Sequence, residues 1–280
     1  MSVNEETLLY IEENIASDIH SLLLVKKPPA KVDVHFAVQQ IEARRKARHK
    51  LPSLSSDRRF VFPSRLPLEQ CSSEATAQYK ALLVGNKRIA DITGGLGIDT
   101  FYFSSLSENV TYIDKNADLV ETAQHNFLAF NRKSVVCICD DAISFLQKSQ
   151  QTFDWIYADP SRRDSHNRKM VRLCDCEPDV SRLLPHCISK AEHLLLKTSP
   201  MLDIAEGISE LNSLVCDIHI LAIKNDCKEL LFVCQNRQAT PVIHCVNILQ
   251  DGVQSFEFLR TDESDAACTF ASTMQTYLYE

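Results

Sequence analysis

"RIADITGGLGIDTF", residues 88–101, runs from a short apolar strand (Ile89, Ala90, Ile92) into three glycines, Gly94, Gly95 and Gly97, with Asp91 ahead of them and Asp99 behind. A strand that enters a glycine-rich turn and then a helix is the opening unit of an open α/β sheet, whose ligands sit beyond the C-terminal strand ends. Gly95 and Gly97 match the first two glycines of a dinucleotide turn, but Thr100 stands where the third belongs. No Gly-Lys-Ser/Thr follows, so a nucleotide-phosphate loop fails as well. What remains is a turn whose missing side chains let a ligand reach the backbone.

Downstream, apolar segments alternate with helical ones: "RIADI", "NVTYID", "SVVCICD", "FDWIYAD", "EHLLLKT", "CDIHILAI" and "ELLFVCQN". This alternation predicts an α/β fold, a Rossmann-like, seven-stranded, mostly parallel sheet over residues 86–240. Residues 241–280 are expected to be a C-terminal extension that begins a truncated further domain. Upstream, residues 1–85 read as an all-α cap. Apolar residues at three- and four-residue spacing predict a helix from Glu5 to about Val25, and a second runs from Asp33 to about Lys50. A proline- and serine-rich connection leads into a serine-capped helix in "SSEATAQYKALLV".

The chain has 280 residues, 45% hydrophobic and 24% charged, which is ordinary for a globular protein. Its 11 cysteines are scattered and read as reduced thiols. The CxC pairs Cys137/Cys139 and Cys174/Cys176 lack the paired knuckles of a zinc site, so no metal is expected. No apolar run approaches the ~20 residues that span a bilayer. A cytoplasmic protein with no membrane partner is the expectation.

Net charge is −7, yet residues 26–90 are strongly basic. Arg44, Arg45 and Arg48 lie in "EARRKARHK", and Arg58 and Arg59 in "DRRF". Such asymmetry predicts one basic face, because an acidic protein binds polyanions only where its positive charges are focused. A solvated helix face accounts for the same run.

Acids recur at the later strand ends. Asp114 ends "TYID", where a carboxylate can accept from both hydroxyls of a ribose. Asp141 follows the third strand and suits either a helix cap or a contact to an adenine amine. The fourth strand ends in "ADPSRR", which brings Asp159, Pro160, Ser161, Arg162 and Arg163 to the centre of the predicted cleft. The polar stretch 164–179 after it reads as a mobile substrate-side loop.

The ordered set "DITGGLGID", acid after strand two, Asp-Ala after strand three and "DPSRR" after strand four resembles the class I S-adenosylmethionine-dependent methyltransferases over residues 88 to about 235. With "LEQCSSEATAQYKA" and "DCEPDV", the chain is similar to a bacterial group assigned as RNA methyltransferases, which carry an N-terminal helical region and a C-terminal THUMP-like domain. Too few residues follow here for that last domain.

The resemblance implies S-adenosyl-L-methionine as cofactor, held by Asp91, Thr93, Gly95, Gly97, Asp99, Asp114, Asp141 and Ala142. Glu69, Gln70 and Ser73 would border the pocket. It also implies that Asp159 and the Pro160 carbonyl accept hydrogen bonds from an exocyclic base amine of RNA. Ser161 and Arg162 replace the second proline and the aromatic of the usual motif. Arg44, Arg45, Arg48, Arg58 and Arg59 would join Arg162, Arg163, Arg168 and Lys169 in one RNA-facing surface. A protein side chain or small molecule as substrate, or a cofactor-binding module without catalysis, are the alternatives.

Overall fold

The computed structural model describes residues 3–25, 29–63, 71–162 and 172–266. The N-terminal stretch expected as one helix is two, α1 (Glu5–Glu13) and α2 (Ile19–Leu23). The break falls where Asp18 starts the second helix by accepting the Ser21 N–H at 2.9 Å. α3 (Val34–Ala47) begins on the Asp33 cap, and α4 (Pro52–Ser56) has proline in its first turn. α5 (Glu74–Val84) starts at Ser73 and stops at Gly85, whose φ of +66° ends the helix.

The α/β part follows in the order β1 (Ile89–Asp91), α6 (Ile98–Leu106), β2 (Val110–Asp114), α7 (Ala117–Ala129), β3 (Val136–Cys139), α8 (Ala142–Lys148) and β4 (Phe153–Ala158). A two-stranded ribbon, β5 (Ser161–Arg162) and β6 (Cys176–Glu177), comes next, then α9 (Val180–Lys190), β7 (Ala191–Thr198), α10 (Ile204–Glu210), β8 (Val215–Ile223), β9 (Asp226–Gln235), β10 (Val242–Leu249) and β11 (Gly252–Leu259). The main sheet has nine strands in the order β11-β10-β8-β9-β7-β4-β1-β2-β3. This corrects the expected seven: the seven anticipated segments are all strands, and β10 and β11 extend the sheet by pairing β10 parallel to β8 and β11 antiparallel to β10. β9 runs antiparallel to both β7 and β8.

Both faces of the sheet are covered, which is why its strands read as continuous apolar runs. Ile156, Ala158, Leu194 and Leu196 face a core with α8 and α9, whereas Tyr157 and Leu195 face α5 and α6. The polar stretch 164–179, expected as a mobile loop, is ordered in its second half: Leu173 and Cys176 are buried in the first of these cores. Residues 163–171 lie outside the described residues. β1 lies between β2 and β4, both parallel to it, so the chain leaves in opposite directions on its two sides. A crevice opens at such a switch point beyond the C-terminal strand ends.

The basic run in α3 is largely structural. Arg44 is 5% exposed, and its guanidinium donates to the carbonyls of Ser55, Asp57, Arg58 and Phe60 at 2.7–3.2 Å. Arg45 donates to the Ile15 and Ser17 carbonyls, tying α3 to the end of α1. Both are corrections to an RNA-facing reading, since carbonyls that lack ladder partners take up these planar donor forks. Arg44→Ala would leave buried carbonyls unpaired and should lower stability by about 3 kcal/mol in urea denaturation. Arg48→Ala, at an exposed position, should change it by no more than about 0.5 kcal/mol.

Candidate active site

The ends of β1 and β4 are stitched together. The Ile92 N–H donates to the Tyr157 carbonyl at 3.1 Å, and the Asp159 N–H donates to the Thr93 hydroxyl at 2.6 Å. Asp91 lies beneath this junction, 1% exposed, accepting from the Thr100 hydroxyl at 2.6 Å and the Thr93 N–H at 3.2 Å. Burial pushes its carboxyl up to about 8. Asp91 thus supports the turn from below and does not line the cleft.

The glycine turn holds its shape against β2. A Cβ on Gly94 would sit 2.2 Å from the Tyr112 ring, and the Tyr112 hydroxyl donates to the Gly95 carbonyl at 2.6 Å. Gly95, at φ +51°, donates its N–H to Asp114 Oδ2 at 2.8 Å, while the Asn116 N–H donates to Oδ1 at 2.8 Å. Each oxygen of Asp114 keeps lone-pair capacity, so two hydroxyls can still be accepted. Gly97 starts α6 in the left-handed region and packs toward Phe127.

These elements enclose a cleft of about 790 Å³ lined by residues 92–96, 114–116, Asp141, Ala142, 159–161 and 197–200. Its size falls in the range of small-molecule sites. The paired acceptors of Asp114, the bare backbone of Gly94 and Gly95, and the volume all fit S-adenosylmethionine. Asp114 would hold the ribose hydroxyls, with Asp141 and Ala142 on the adenine side.

Thr93, Gly95, Asp114, Asp141, Ala142, Asp159, Pro160 and Ser161 therefore meet at one cleft. Asp141 also caps α8, with Oδ1 accepting the Ile143 and Ser144 N–H groups at 3.0 and 3.1 Å. Asp99 reaches the cleft wall, but its carboxylate is taken up by Lys80 at 2.9 Å and by the Ser72 and Tyr157 hydroxyls at 2.7 and 2.9 Å. These donors hold it as a buried anion in the wall of the cleft. Ser73 caps α5 through the Thr76 N–H, and its neighbours Cys71 and Ser72 face the cleft instead. Glu69, Gln70, Arg163, Arg168, Lys169 and the Arg162 side chain lie outside the described residues. Arg58 pairs with Glu5 at 2.8 Å, and Arg59 pairs with Asp57 at 2.7 Å while lying over the Phe130 ring. Arg48 is exposed, beside His49.

Sequence reasoning missed Lys197. At the end of β7, one step past the Ala158↔Leu196 pair, its Nζ lies 2.5 Å from Asp159 Oδ2. Burial alone would lower this ammonium, but Asp159, Glu229 and Asp99 raise it well above its ordinary value. Lys80 and Glu229, 3.0 Å apart, complete the buried set. The signal was present: a lysine inside "HLLLKT" and a glutamate inside "KELLFV" stand in strands otherwise apolar, and such charges are buried only when paired. Among the described residues no group of three or more His, Cys, Asp or Glu could hold a metal, no helix is long and apolar enough to cross a membrane, and no cysteine forms a disulfide.

No protein-family model matches the chain. It is 28% identical to the crystal structure of a "putative methyltransferase from Porphyromonas gingivalis W83", with a TM-score of 0.83 across 98% of this chain and 70% of that one. It is 32% identical over 79 residues to an uncharacterized RNA methyltransferase of Mycoplasma mobile, a match to 28% of this chain and 22% of that relative. The fold is shared with that methyltransferase structure, and the acceptors and volume of the cleft fit S-adenosylmethionine as cofactor, whereas the chain spans only about a fifth of the length of the Mycoplasma relative.

Asp114→Ala removes the paired acceptors and should weaken S-adenosylmethionine binding by about tenfold or more in calorimetry. Asp91 gives a pH signature. Its folded-state value, about 8, lies above the unfolded 3.8, so the native chain holds a proton that the unfolded chain has lost. The stability contributed by Asp91 should be full below pH ~4 and decline by up to about 1.4 kcal/mol per pH unit toward pH ~8. Asp91→Asn should flatten that decline in denaturation series run across this range.

Proposed function

We propose that this chain transfers the methyl group of S-adenosylmethionine to RNA. The observation that carries the transferase reading is Asp159. Its backbone is fixed to the β1 turn through Thr93, and its carboxylate opens into the cleft that holds Asp114. Bound S-adenosylmethionine supplies an electrophilic methyl on a sulfonium. This chain's own contribution is to hold the acceptor at attack distance and to exclude water. Thr93 and Lys197 set the position of Asp159, which with the Pro160 carbonyl accepts a hydrogen bond from the incoming nucleophile. The Asp-Pro turn by itself suits an exocyclic base amine.

Support for RNA comes from the name of the Mycoplasma relative and from exposed cations of the basic run. Lys46 and Arg48 are exposed at the end of α3, unlike the buried Arg44 and the carbonyl-bound Arg45, whereas Lys115, Lys197 and Lys228 line the cleft in pairs with Glu177, Asp159 and Asp226.

Incubation with tritiated S-adenosylmethionine and total cellular RNA should label RNA. Asp159→Ala should reduce labelling by about 100-fold or more while cofactor affinity is retained. Label appearing in protein or small molecules, with RNA unlabelled, would reject the RNA substrate. Replacing Lys46 and Arg48 by Ala should reduce the slope of RNA affinity against salt by about 0.7 for each phosphate no longer neutralised.

A further inference from the structure

The carboxylate expected to receive the nucleophile already has a cationic partner. Lys197, 8% exposed, touches Asp159 Oδ2 at 2.5 Å, and both side chains line the cleft. Glu229 and Asp99 favour its charged form, so the acceptor subsite contains an ammonium beside a carboxylate. The Lys50 ammonium, held partly buried at the end of α3, is pushed down by burial and by Lys197.

A neutral amine gains positive charge as it attacks a methyl group, and a fixed cation at its binding carboxylate opposes that change. A hydroxyl behaves oppositely. As it attacks it sheds its proton and develops negative charge on oxygen, which an ammonium stabilises while a carboxylate takes the proton.

Resting on the RNA reading above, we propose that the acceptor is a ribose 2′-hydroxyl of RNA, bound between Asp159 and Lys197. In the transfer, a lone pair of the hydroxyl oxygen forms the bond to the methyl carbon, and the carbon–sulfur bond breaks with its electron pair going to sulfur. The hydroxyl proton passes to Asp159 and from there to solvent. Lys197 keeps its protons and stabilises the oxygen as its own proton departs.

The test is the position of the label. RNA methylated by the full chain is hydrolysed with alkali, which cleaves only where a 2′-hydroxyl is unblocked, and its nucleosides are analysed by mass spectrometry. The inference predicts label in alkali-resistant dinucleotides and the added methyl mass on the ribose fragment. Methyl mass on the base fragment overturns it while leaving RNA methylation intact. Unlabelled RNA, with S-adenosylmethionine binding in calorimetry, overturns the RNA reading and this inference with it. Lys197→Met should lower turnover by about 100-fold with cofactor affinity unchanged, and Lys197→Arg should restore part of it. Full turnover in the well-folded Lys197→Met chain would also overturn the role assigned to that ammonium.

Discussion

Lys80 is fully buried, and three elements meet on its ammonium. It rises from α5, lies 2.9 Å from Asp99 on α6 and 3.0 Å from Glu229 on β9, and donates to the Ser72 hydroxyl at 2.7 Å. Removing such a charge from water costs several kcal/mol, which only well-placed partners recover. Here the partners come from both sides of the junction between the helical N-terminal region and the sheet. Ser72 donates onward to Asp99, and the Tyr157 hydroxyl from β4 completes that carboxylate's set. Burial would raise Asp99, but Lys80 and Lys197 hold it below the usual carboxylate range.

The consequences run into the cleft. Fixing Asp99 and Ser72 places the wall against which residues 71 and 72 lie, and fixing Glu229 beneath Lys197 keeps an anion next to that second ammonium. Lys197 then has one partner at the cleft surface, Asp159, which is also tethered to β1 through Thr93. Asp159 and Lys197 are therefore the cleft-side end of an alternating chain of charges whose other end is buried under α5. On the opposite side of the switch point, Asp114 depends on backbone donors alone, Gly95 and Asn116. One half of the cleft is organised by buried charge and the other by a glycine turn.

The seven anticipated strands were legible because sheet positions buried on both faces read as unbroken apolar runs, as in "DWIYA" and "HLLLK". β10 and β11 carry a hairpin signal, Asp251-Gly252 where "VIHCVNIL" gives way to "GVQSFEFL", which the reading of 241–280 as an extension did not use. That Asp114, Asp159, Gly94 and Gly95 would meet at the cleft was legible because topology opens a crevice at the strand ends. Arg44 and Arg45 were misread for a shared reason: a charged residue type reveals its charge but not its partner. An arginine that binds buried carbonyls looks the same in sequence as one that binds phosphates. Lys197 was recoverable, since a lysine in a buried strand demands an anion and Asp159 ends the adjacent strand.

The crevice between the ends of β1 and β4, with Asp114 and Asp159 on its two sides, is the place where S-adenosylmethionine is expected to bind. The most direct test is a crystal structure of the chain grown with S-adenosylhomocysteine. The account predicts the ribose hydroxyls within hydrogen-bond distance of the Asp114 carboxylate, the homocysteine portion against residues 93–95, and the sulfur turned toward Asp159. Density for the ligand elsewhere on the chain, or in the cleft with its ribose away from Asp114, would contradict it.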